Sequence, residues 1–232
     1  GGIEAQSTVG IIYNFKHWLS KIENFSPKLI LFYVGLNDTG ISEKENNNLN
    51  GGDGHVKNPD SKEIFYDNIK SRSFLYDSAR IFKFKYLPRK NFVKYDGNVD
   101  PNFEANFNYI TYENAMNNYN LEFLKTKYEI KIKNYLSRID ILYEKSRYLN
   151  SNPVFITSVR SQGNSELNFI FNYSLISHCK KKNYNCINLA KTLNGKFYYW
   201  RDETHTTREG SEVIANLIFE ELFIILKNLN LF

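Results

Sequence analysis

The chain has 232 residues, 42% of them apolar, with a formal net charge of +5 and a pI near 8.9. That permits a single domain with a sizeable core. The lysines are interleaved with acids and no dense Arg/Lys block forms, which argues against a nucleic-acid partner, and no apolar run reaches membrane-spanning length.

From Ser7 to Asn24 the apolar residues Ile11, Ile12, Phe15, Trp18, Leu19 and Ile22 recur at helical spacing, with Ser7 or Thr8 as the N-cap. His17 lies off that stripe and reads as an exposed polar residue. After Pro27, "KLILFYV" (residues 28–34) is a continuous apolar run of strand length, the pattern of a strand covered on both faces. Residues 41–63 are polar and rich in Gly and Asn, so they read as a loop. Asn46, Asn48, Asn50 and Gly51 imitate the start of a calcium loop, but Lys57 stands where a bidentate Glu belongs. A helix is expected over residues 64–84, followed by an aromatic, polar stretch over 91–119.

Leu121, Leu124, Tyr128, Ile132, Tyr135, Ile139 and Leu142 step by three and four, predicting one long amphipathic helix to about Tyr148. Asn152-Pro153 breaks it, and a strand follows over Val154 to Val159. A helix over Ser165 to Lys181 and a strand over Asn185 to Ala190 come next. The last helix starts near Gly210, with Val213, Ile214, Leu217, Ile218 and Leu222 facing inward. Alternating helices and apolar strands predict a parallel sheet between helix layers, in one domain spanning residues 1–232. Cys179 falls in a helix and Cys186 in the next strand. Buried thiols are the default reading, and a bridge between them is the alternative.

Two short stretches carry chemistry. "GLND" (Gly35 to Asp38) directly follows the first strand, and the working residues of open α/β sheets gather beyond the carboxyl ends of the strands. The Asn37 amide could donate to a developing oxyanion, a contact worth roughly 3 kcal/mol in enzymes that use it. The plainer alternative is that Asn37 and Asp38 cap the next segment. "DETHTTREG" (Asp202 to Gly210) places an acid and a histidine three residues apart before the last helix. Asp202 could orient His205 and leave its far nitrogen free as a general base. A capping acid beside an exposed histidine, or a pair of metal ligands, are the alternatives; no further His or Cys cluster completes a metal site. His55 and His178 have no comparable setting, and no Gly-rich phosphate loop follows a strand, so no cofactor is implied.

In this order and spacing the two stretches resemble the blocks of the SGNH (GDSL-type) hydrolases, and the opening "GGIEAQSTVG" is similar to that family's second block. The resemblance implies a three-layer α/β/α sandwich with a flavodoxin-like parallel sheet. It also implies ester hydrolysis through a Ser-His-Asp triad, with an acylated sugar or surface glycan among the substrates the family's range offers. His205 would be the base, Asp202 its orienting acid, and Asn37 a side-chain donor to the oxyanion hole. Ala5 aligns with the second-block glycine, whose backbone N–H also donates. Arg160, just past a strand, is a candidate contact for an anionic part of the substrate.

The family's nucleophile sits in a Gly-Asp-Ser turn after the first strand, and this sequence contains no Gly-Asp-Ser. Ser7 is explained as an N-cap, and Ser78 lies inside an expected helix, so neither replaces it. The expectation is that the first strand and its serine precede the sequence. The chain alone would then be inactive and poorly soluble, with "KLILFYV" as an unpaired edge. The alternative function is a non-catalytic binding protein on the same scaffold.

Overall fold

A computed structural model of the chain describes residues 6–17, 19–41 and 107–231. The loop and helix expected over residues 42–84, the stretch 91–106, Ala5, His55 and Ser78 lie outside the described residues.

Helix α1 (Thr8–His17) is capped by Ser7, whose Oγ accepts from Val9 N at 3.1 Å. The expected helix breaks into a 3₁₀ turn at Leu19–Lys21. His17 is half-buried rather than exposed, its ring stacked on Tyr13. Strand β1 (Leu29–Val34) follows, then a 3₁₀ turn at Asp38–Gly40. Part of the aromatic stretch forms a helix, α2 (Tyr112–Asn118), whose N-cap Thr111 accepts from Asn114 N. The long helix is two, α3 (Leu121–Lys127) and α4 (Glu129–Tyr148), because Tyr128 takes φ −115° and ψ 18°.

Strand β2 (Asn152–Thr157) includes Pro153, which pairs across from Ile30 near the strand's start, where a missing N–H is tolerated. Helix α5 (Glu166–Lys182) ends on Asn183 in the left-handed region (φ 58°). Strand β3 (Asn185–Ile187) is shorter than its apolar run, because Asn188 caps the short α6 (Leu189–Thr192) by accepting from Lys191 N. A 3₁₀ turn at Phe197–Tyr199 precedes α7 (Arg208–Asn228).

The three strands are parallel in the order β1-β2-β3, giving a mixed α/β fold. Register sorts the side chains. Phe32, Phe155 and Cys186 lie side by side on one face and pack with Ile12 and Phe15 of α1, Tyr135, Ile139 and Leu142 of α4, and Phe169 and Leu175 of α5. Val154, Ile156 and Ile187 join Leu189, Ala190, Leu193 and Trp200 in a second cluster, on which α7 lays Val213, Ile214, Leu217, Ile218 and Leu222. Helices therefore cover both sides of β2, every residue of which after Asn152 is buried.

β1 departs from the sequence expectation. Phe32 and Val34 are buried, but Leu31 and Tyr33 on the other face remain 45% and 43% exposed. The stripe of α7 is likewise only partly covered. A continuous apolar run could not reveal this, because both faces read alike. The two cysteines are disulfide-bonded rather than free thiols. The bridge joins Cys179, in the last turns of α5, to Cys186 in β3 across a Cα–Cα distance of 6.3 Å.

A buried polar network fastens α1, the turn after β1 and α4 together. The Asp38 carboxylate, 3% exposed as a residue, accepts from Thr8 N at 3.3 Å and from the Thr8 hydroxyl, and pairs with Arg138 Nη2 at 3.1 Å. Arg138 Nε donates to Thr8 Oγ1 at 2.6 Å, so that hydroxyl both accepts and donates. The acid also sits where the first N–H groups of α1 point, which favours negative charge. Burial pushes the Asp38 carboxyl above its ordinary value, against the pull of Arg138 and Thr8.

Removing one partner leaves the other buried without its counterpart. Asp38→Leu or Arg138→Leu should each cost about 3–5 kcal/mol in urea unfolding. The double replacement should cost well under their sum, because the stranded partner is gone too. Additive losses would show that the pair does not act as a unit.

Candidate functional site

In a parallel sheet all carboxyl ends share one edge. Val34 pairs opposite Thr157, so the segments that follow them emerge side by side. Gly35 takes φ +108°, a region other residues avoid, and a Cβ there would press Ser158 Oγ at 3.1 Å. This turn sets Asn37 at the edge. Asn37 does not cap the following 3₁₀ turn. Its Nδ2 donates to the Gln6 carbonyl at 3.1 Å, just before α1. Asp38 does act as a cap, but for α1, thirty residues earlier in sequence.

Residues 200–207 form a reverse loop. Trp200 bridges Thr206, and Arg201 N donates to His205 O at 2.8 Å. Within it Asp202 Oδ1 accepts from Thr204 N and His205 N, both at 2.8 Å, while Oδ2 meets His205 Nδ1 at 2.8 Å. With the proton on Nδ1, the lone pair resides on Nε2, to which no described residue bonds. Both side chains are more than half exposed, at 53% and 65%. The Asp202 carboxyl lies near 2 instead of the ordinary 3.8. Partial burial pushes it up, and the N–H groups of Thr204 and His205, with the imidazole, more than offset that.

The segment after β2 ties the two loops to one edge through consecutive residues. Arg160 Nη2 donates to Leu36 O at 2.8 Å and to Thr39 Oγ1 at 3.3 Å, in the Asn37 turn. Ser161 N and Oγ both donate to Glu203 O at 3.1 Å, in the Asp202–His205 loop. Tyr33 Oη accepts from Val159 N at 3.0 Å and steadies the same segment. Arg160 is thus a strut between loops. Ser161 is the site residue that sequence reasoning missed, and nothing in its neighbours marked it.

Beside this clasp lies a cleft of about 350 Å³ lined by Phe107, Ile110, Ser161, Gln162 and Glu203, among others. Its outer wall is a strap fixed by Ile110 N to Gln162 O at 3.1 Å and by Asn164 N to Ile110 O at 2.8 Å. Gly163, at φ +67°, admits the strap, since a Cβ there would overlap the Ile110 carbonyl.

A second acid–histidine pair went unread in the sequence. His178 Nε2 meets Asp140 Oδ1 at 2.7 Å, and Tyr184 Oη donates to the same oxygen at 3.0 Å. α5 starts at the carboxyl edge and runs back, so His178, near its end, lies toward the opposite edge and links α5 to α4.

Fold and edge define an α/β protein with a parallel sheet, and no described helix is long and apolar enough to cross a membrane. No family model, curated protein or solved structure matches the chain.

The carboxyl of Asp202 should titrate with a midpoint near 2 in a carbon-detected NMR experiment. A depressed folded-state value contributes stability that is present above the unfolded value of 3.8 and lost as pH falls through about 2. In His205→Ala the midpoint should rise only part of the way, because the backbone donors remain. A full return to the ordinary value would assign the whole effect to the imidazole.

Proposed function

We propose that the chain carries the acid, the base and an oxyanion donor of an SGNH-type serine esterase. The nucleophilic serine is contributed by a segment that precedes Ala5. The observation that carries this reading is the contact of Asp202 Oδ2 with His205 Nδ1 at 2.8 Å, which leaves Nε2 unbonded at the carboxyl edge of a parallel sheet. A carboxylate–imidazole pair whose acid is fixed by backbone N–H groups, on a loop tied to an Asn turn, is suited to moving a proton between a hydroxyl and a leaving group.

In this mechanism His205 Nε2 takes the serine proton as the hydroxyl oxygen attacks the ester carbonyl. Asp202 holds the tautomer and stabilises the imidazolium. Asn37 Nδ2 turns from the Gln6 carbonyl to the tetrahedral oxyanion, joined by the backbone N–H of Ala5. The proton on Nε2 then passes to the departing alkoxide. Water attacks the acyl-serine, and His205 again receives and returns a proton. Esters of sugars or surface glycans are the proposed substrate class. In the scaffold proposed, β1–β3 are the last three strands of a flavodoxin-like α/β/α sandwich, and the side of β1 away from β2 is where the serine-bearing strand pairs.

A longer chain that includes the preceding segment should hydrolyse short-chain aryl esters. His205→Ala should lower kcat/KM by about 10³-fold or more, and Asn37→Ala by about 10²-fold, with melting temperatures close to the parent's. Equal rates for the parent and His205→Ala would remove the base from the mechanism and favour a non-catalytic binding protein.

A further inference from the structure

We propose that the cleft beside the Asp202–His205 loop is a subsite for a single polyhydroxylated ring, neutral or cationic, and that Glu203 is the residue that disfavours anionic ones. The assignment of this ring to the ester rests on the hydrolase reading above. The binding property does not.

The cleft's volume, about 350 Å³, falls at the small end of the range for small-molecule sites. Its wall combines one aromatic ring with uncommitted polar groups. Phe107 is half-buried and aligned with Tyr109 at an interplanar angle of 19°, which fixes a flat apolar surface. Asn108, Gln162 and Glu203 are exposed, and among the described residues their side chains form no hydrogen bond or ion pair. Two amides can each donate and accept, and a carboxylate accepts only. A sugar ring has the complementary chemistry: an apolar C–H face for the ring of Phe107, and hydroxyls at its edge for the amides and the carboxylate.

Charge narrows the class. Among the described residues Glu203 is the only ionisable side chain on the wall. Arg160, the nearest arginine in sequence to Ser161, is engaged by Leu36 O and Thr39 and does not line the cleft. An anionic ring therefore meets a like charge, with no cation among the described residues of the wall to offset it. The cleft shares a loop with the proposed base, since Glu203 lies two residues before His205 and its carbonyl is held by Ser161, which also lines the cleft.

The test is ligand-observed saturation-transfer NMR on the 232-residue chain at pH 7, with N-acetylglucosamine, glucosamine and glucuronate as probes. The neutral and cationic sugars should bind in the millimolar range, and glucuronate about threefold more weakly. Glu203→Gln should bring glucuronate level with the neutral sugar. Phe107→Leu, which keeps apolar bulk but removes the flat face, should weaken all three about fivefold. Gln162→Ala, at an exposed position whose backbone contacts are retained, should weaken them without changing the melting temperature.

Absence of transfer from every probe would overturn the subsite. So would equal affinity for glucuronate and N-acetylglucosamine in the parent, or indifference to both Phe107→Leu and Gln162→Ala. The expected order of affinities, without ester hydrolysis that depends on His205, would keep the subsite and remove the esterase. Hydrolysis without sugar binding would do the reverse.

Discussion

The interaction on which the rest of the described structure depends is the buried contact of Asp38 with Thr8 and Arg138. It joins three segments that are far apart in sequence, and each needs it for a different reason. α1 obtains an acid for its first N–H groups, the turn after β1 obtains a fixed orientation, and α4 obtains a partner for a guanidinium that is 3% exposed as a residue. Such pairs add little net stability, because desolvating both charges offsets most of their attraction. What they impose is register. Leu and Met could fill the same space in several ways, whereas a carboxylate that must meet a backbone N–H, a hydroxyl and a guanidinium fits in one. Asn37 inherits that precision from its neighbour, and its amide is held at Gln6, where α1 begins.

The second constraint works at the edge itself. Arg160 and Ser161 are adjacent, yet one reaches back to the Asn37 turn and the other across to the Asp202–His205 loop. The clasp couples two loops that are each also held elsewhere, the first by the Asp38 network and the second by Thr207, whose hydroxyl and N–H donate to the carbonyls of Tyr198 and Tyr199. The comparison with His178 and Asp140 shows why position decides what a pair does. Both pairs place a carboxylate oxygen 2.7–2.8 Å from an imidazole nitrogen. In the pair on α4 and α5 the imidazole is largely covered, at 12% exposure, and the acid is shared with a tyrosine. The pair at the edge leaves Nε2 without a bond among the described residues, which is what the proposed esterase requires of its base.

Much of the architecture was legible in the sequence because period and length carry it. β1, β2, α5 and α7 all fall where apolar runs and stripes place them. The misses have local causes. Tyr128 continues the stripe of the long helix, so periodicity cannot show that its backbone leaves the helical region. Pro153 reads as a breaker, but a parallel strand tolerates it near its start. β3 stops early because Asn188 offers α6 a cap, and an apolar run says nothing about where a cap wins. Arg138 did leave a signal, a charge three residues after Tyr135 and four before Leu142 on the buried stripe. The disulfide had the right residues, but spacing alone could not choose between a bridge and two thiols. The Asp202–His205 pair was legible because three residues in one turn suffice to bring carboxylate to imidazole. The clasp by Ser161 was not, since it is made to a backbone oxygen and leaves no mark on side-chain identity.

That last difference separates positioning from recognition within single residues. Glu203 holds the clasp with its carbonyl and lines the cleft as a residue whose carboxylate makes no contact among the described residues. Its side chain can therefore change charge without loosening the loop that carries His205. Ser161 has the opposite economy, since its N–H and its hydroxyl both serve the clasp. Asn37 and Asp38 divide the same two duties between neighbours, with the buried acid fixing the turn and the amide left near the edge. In the proposed subsite, charge preference is set at Glu203 without disturbing the clasp. Altering Ser161, Arg160 or Asp38 disturbs geometry first and recognition only as a consequence.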